Sequence, residues 1–74
     1  MTKEFYLKNA KEHERLCNEN IKKAEKLRDE ANSVSDKFEF LKKHLKEEAD
    51  WYWRMAQHHE TQRAFWSRTA EAEG

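Results

Sequence analysis

Small side chains recur every seventh position in the first half of the chain, at Ala10, Cys17, Ala24 and Ala31, and large ones recur every seventh in the second half, at Phe38, Leu45, Tyr52, His59 and Trp66. A seven-residue period marks helices that pack along a seam. Helix-forming Glu, Lys, Ala, Leu, Arg and Gln fill the positions between, Pro is absent, and the one Gly is residue 74. No interior position therefore calls for special backbone geometry. The single interruption is Asn32-Ser33-Val34-Ser35-Asp36, whose short polar side chains compete for backbone hydrogen bonds and favour caps and turns. Asp36 with Glu39 three places on has the form of a capping pair, and Ser35 is nearly as good a cap. The pattern predicts an all-α chain of one domain: helix 1 at about 3–32, a loop at 33–35, and helix 2 at about 36–72.

A short loop between long helices makes an antiparallel hairpin. Folding about that loop is expected to set Ala31 opposite Phe38, Ala24 opposite Leu45, Cys17 opposite Tyr52, Ala10 opposite His59 and Lys3 opposite Trp66, small against large along the seam. Two helices bury one stripe each, and five Leu, one Ile and one Val are few for a hairpin that must stand alone. Phe40, His44, Trp51, His58 and Phe65 fall on a second strip of helix 2, roughly 70–110° from the seam. That strip is the expected dimer interface, through which two hairpins form a four-helix bundle.

Composition narrows the function classes. Fifteen Lys plus Arg balance fifteen Asp plus Glu, whereas a chain that coats nucleic acid or mimics it needs a strong excess of one sign. No apolar run approaches the roughly 20 residues that cross a bilayer, and the first residues lack the apolar core of a secretory signal, so the expected setting is the cytoplasm, away from membranes. Charge is nevertheless slightly polarised. From Lys22 to Lys46 eight basic residues face five acidic ones, leaving the loop end at +3 and the distal ends at −3. Lys22, Lys23, Lys26, Lys42, Lys43 and Lys46 form the candidate nucleic-acid patch, a weak one beside surfaces that neutralise many phosphates.

Chemistry-bearing residues are few. His44 and His58 lie too far apart along one helix, about 21 Å, to share an ion within one chain. His13 and His59 are the metal candidates because the fold brings them across the seam from each other. The sequence has no His-x-x-x-His, no Glu-x-x-His and no Cys-x-x-Cys to strengthen that reading. The plainer role for these imidazoles is polar spacing that fixes register, with sensitivity to pH near 6.5. Cys17 occupies a small-residue position and reads as a buried substitute for Ala. No strained turn or enclosed pocket supports catalysis, and no cofactor is expected. Seven of nine aromatics lie in helix 2, and Trp53 points away from both strips. With Arg54 and Arg63 beside it, Trp53 is the candidate contact for a further protein.

With helix 2 reading EEADWYWRMAQHHETQRAFW, the chain resembles the short helical accessory proteins that lambdoid phages encode between their exonuclease and excisionase genes. That resemblance implies a non-enzymatic protein, made early in infection, that adjusts host physiology or the lysis–lysogeny decision through protein contacts. In architecture alone the chain is also similar to the plasmid copy-control hairpin that dimerises and binds RNA, but it lacks a strongly basic face. The leading expectation is an interaction module acting on a host or phage protein. The alternatives are a nucleic-acid-associated regulator using the loop end and a metal-binding bundle.

Overall fold

In a computed structural model, which describes residues 2–73, the chain is a helical hairpin. Helix α1 runs over Lys3–Ser33, a single 3₁₀ turn over Asp36–Phe38, and helix α2 over Glu39–Glu73, packed antiparallel to α1. Thr2 caps α1, its Oγ1 accepting from the Phe5 backbone N–H at 3.3 Å. At the other end the Val34 N–H donates to the Ala31 carbonyl and the Ser33 hydroxyl donates to that of Glu30. Two orphan carbonyls of the last turn are thereby satisfied. Ser35 is the cap of the following turn, accepting from the Lys37 N–H, while the Asp36 carboxylate pairs with Lys42 instead. The reversal uses no positive φ among the described residues, which is why the sequence makes it without glycine.

The seam is built differently from the expected small-against-large pairing. Its buried residues are Ala10, Cys17, Ala24 and Ala31 on α1 and Ala49, Ala56 and Ala70 on α2, and among the described residues no side chain larger than Cys is buried. Both helices thus present small residues at heptad spacing. The contacts correct the register: His59 meets His13 rather than Ala10, Trp66 packs on Phe5 and Tyr6 rather than on Lys3, and Tyr52 lies beneath Lys23 rather than Cys17. The His13–His59 and Tyr6–Trp66 pairs place Cys17 nearly level with Ala56, and Ala24 nearly level with Ala49. A close approach of backbones causes this. The Cα envelope measures 57 × 13 × 12 Å, and removing one Cα cylinder, about 4.6 Å across, from its width leaves at most about 8 Å between the axes. At that separation large side chains are squeezed from the centre to the flanks.

Candidate functional site

Six of the displaced large residues collect on one flank in two adjoining rows. The inner row, beside the seam, is Tyr52, His59 and Trp66, spaced seven apart and half-buried. The outer row is Trp51, His58 and Phe65, each one residue earlier and each exposed. Every outer ring stands edge-on to its inner neighbour, with centroids 5.0 Å apart for Trp51 and Tyr52, 5.5 Å for His58 and His59, and 5.2 Å for Phe65 and Trp66. This is the preferred geometry of aromatic pairs. Helix α1 contributes from its side of the groove. Phe5 and Tyr6 close on Trp66 at 6.0 and 5.7 Å, His13 on His59, and the Lys23 ammonium sits 5.6 Å above the Tyr52 ring.

The face is therefore a ladder of three rungs: aromatic at the distal end, imidazole in the middle, aromatic with a cation toward the loop. Its exposed members are large. Phe65 is 56% exposed, Trp51 52% and Phe40, beyond the ladder toward the loop, 88%. Phe38, Phe40, Leu41 and His44 line an open hollow of about 900 Å³ at the loop end. Of the residues expected at a dimer interface, Phe40, Trp51, His58 and Phe65 lie in the open, and His44 is joined to Glu48 through Nε2 at 2.8 Å.

The middle rung carries the only cross-seam polar contact between side chains other than the Arg28–Asp50 pair, 3.9 Å apart, among the described residues. His13 Nδ1 and His59 Nδ1 are 3.0 Å apart, one ring donating and the other accepting. Burial, with His13 and His58 close by, pushes His59 below the ordinary imidazole pKa, so the neutral form is favoured. Burial likewise pushes the Cys17 thiol up, away from the reactive thiolate. No group of three or more His, Cys, Asp or Glu side chains converges as a metal cluster among the described residues.

The other expected surfaces fare differently. Trp53, two residues and so about 200° from Trp51, is half-buried. Moving the seam centre to Ala49 and Ala56 brings Trp53 to its far edge. Arg63 is half-buried and bonded to Glu60, whereas Arg54 is exposed. Of the six lysines of the candidate nucleic-acid patch, Lys23 is drawn to Tyr52 and Lys42 to Asp36. Lys42, Lys43 and Lys46 share a hollow with Glu39, Glu47 and Asp50, a surface of mixed sign. Among the described residues no helix is long and apolar enough to cross a membrane. The aromatic ladder is the feature that the sequence pattern did not disclose, because its two rows belong together only once the seam centre is known. Comparisons of the chain with protein-family models, with curated proteins and with solved structures return no match.

Proposed function

We propose that this protein is a non-enzymatic interaction module and that its first partner is a second copy, two hairpins packing their ladder faces together as a four-helix bundle. The observation that carries the reading is an excess of surface. A compact monomer of 9.0 kDa exposes about 4,850 Å², and this chain exposes 5837 Å². The surplus, about 1,000 Å², is close to the roughly 800 Å² that each partner contributes to a standard interface. Trp51 and Phe65 on the ladder are among the exposed large apolar side chains, and a self-complementary face on a hairpin is what a two-fold dimer requires. In the wider reading the dimer is an accessory protein of the phage type. It modulates a host or phage protein through surface left outside the bundle, with Arg54 and the rim of Trp53 as the candidate contact.

Light scattering coupled to size exclusion tests the dimer. Twice the chain mass is expected at tens of micromolar, falling to the chain mass in Trp51→Glu/Phe65→Glu while helicity is retained. A wild-type protein that stays at 9.0 kDa with full helicity at those concentrations sinks the proposal.

A further inference from the structure

The rungs of the ladder run aromatic, imidazole, aromatic, so by shape alone the face can meet a second copy of itself either parallel or antiparallel. Charge separates the two arrangements. On the premise of the dimer described above, we propose that the two hairpins run antiparallel with the two-fold axis through His58. Each loop end then lies along the terminal end of the other copy, and the middle rungs meet. An axis at His58 sets at the same height those α2 positions whose numbers sum to about 116, twice 58. Trp51 meets the partner's Phe65 and His58 meets the partner's His58, so all three rungs are covered. Two neutral imidazoles can pair through one donor and one acceptor, as His13 and His59 already do at 3.0 Å.

The charges of α2 fall into step in the same register. Lys42, Lys43 and Lys46 come level with the last turn of the other α2, which carries the partner's Glu71 and the partner's Glu73. Glu47, Glu48 and Asp50 come level with the partner's Arg68. Opposite signs so placed attract and fix orientation. A slide of one rung in either direction loses this match. One slide brings Lys46 level with the partner's Arg63, the other brings Asp50 level with the partner's Glu73, and both set His58 against an aromatic rung that offers its polar edge no partner. A parallel pair is worse, because every charged group then faces its own copy. The two +3 loop ends would lie together, and the Lys23 ammonium, 5.6 Å above Tyr52, would stand at the height of the partner's Lys23. In the antiparallel pair Lys23 instead comes beside the partner's Phe65 and the partner's Trp66, whose ring faces accept a cation.

Distances between nitroxide labels on the two copies, read by double electron–electron resonance, test the arrangement. The labels are carried by Lys37→Cys at the loop end and Glu71→Cys near the terminus, each in a Cys17→Ala background; both positions are exposed. At about 1.5 Å per residue, an axis at His58 puts the two loop-end labels about 63 Å apart along the rod and the two terminal labels about 39 Å apart. A slide of one rung changes these distances by about 10 Å in opposite directions, and a parallel pair brings the loop-end labels within about 30 Å. Light scattering on the same samples keeps two failures apart. Single-chain mass at tens of micromolar sinks the dimer and this arrangement with it. A dimer with close loop-end labels, or with both distances displaced by about 10 Å, overturns the arrangement alone. The unsubstituted chain gives a second readout: raising salt from about 0.02 to about 0.2 M should raise the dimer dissociation constant several-fold, because attraction between opposite ends is screened. A constant that does not rise overturns the antiparallel pairing.

Discussion

Replacing Ala24 with Leu tests the seam directly, because the sign of the result depends on the distance between the helices. Ala24 is wholly buried, as is Ala49 at nearly the same height on the facing helix. If the seam had room, three added carbons would each contribute about 0.8 kcal/mol of burial, and the variant would gain about 2.4 kcal/mol. With the axes no more than about 8 Å apart, derived from an envelope 13 Å wide, there is no space for a branched side chain at the centre. Overpacking then costs roughly 1–3 kcal/mol. The two outcomes differ by about 3–5 kcal/mol, far more than the error of a denaturation experiment. Urea unfolding followed by far-ultraviolet circular dichroism, at two chain concentrations so that association is held apart from folding, gives the number. Ala72→Leu, on the exposed last turn of α2, is the control and should lie within about 0.5 kcal/mol of wild type. A stabilised Ala24→Leu would show that the helices stand farther apart than an alanine seam allows, and the account of the displaced aromatics would fall with it.

Stability should decline as pH is lowered below about 6.5. The folded chain holds the His59 pKa beneath its usual value of 6.5, so the unfolded chain takes up the proton first; the contribution is intact above 6.5 and is lost through the lowered folded value. His59→Gln should flatten that part of the profile, and an undiminished slope in the variant would assign the effect elsewhere. Asn20 sits half-buried in the row that carries Tyr6 and His13, its amide donating to the Leu16 carbonyl at 2.8 Å. Asn20→Leu should stabilise the chain by about 1 kcal/mol while loosening its choice of register and oligomer, which a chemical melt and light scattering would detect; a loss of stability would show that the amide makes a needed contact. Cys17, buried and with its thiol pKa raised, should react with a disulfide reagent only through opening of the hairpin, and labelling as fast as in urea would contradict its burial.

Much of the architecture is legible in the amino-acid pattern, and the part that misleads has one source. The lack of interior Gly and Pro and the polar stretch at 32–36 place both helices to within two residues of Lys3–Ser33 and three of Glu39–Glu73. The spacing of Ala10, Cys17, Ala24 and Ala31 identifies the buried stripe of α1 completely. Helix α2, however, carries two seven-residue series four places apart, Leu45-Tyr52-His59-Trp66 and Ala49-Ala56 with Ala70. Either series satisfies the period. Periodicity measures the direction of a stripe and says nothing of how near the next helix comes, and it is the near approach that puts alanine at the centre and the rings at the edge. The same choice decides Trp53, which stands off a seam centred on Tyr52 and against one centred on Ala56. That His13 and His59 face each other is insensitive to the choice, since a shift of three residues is almost one helical turn.

The alanine seam also accounts for the exposed ladder face. A hairpin closed on leucines would bury its bulk and leave a polar exterior; one closed on alanines buries little and must carry its large side chains outside. Here six of them, Tyr52, His59 and Trp66 with Trp51, His58 and Phe65, lie in two rows on one flank, each outer ring set edge-on against an inner one, a contact that restrains it. In the proposed dimer, restrained rings lower the entropic cost of association, and the deficit of buried bulk supplies the drive, because each hairpin would recover on binding the core it lacks alone. Folding and partner binding are then one linked equilibrium rather than two successive ones. Substitutions on the outer row, Trp51 and Phe65, should lower thermal stability by an amount that grows with chain concentration, although neither residue touches the intramolecular seam. A melting temperature that does not depend on concentration, in wild type and variant alike, would separate the two processes and leave the ladder without a stabilising role.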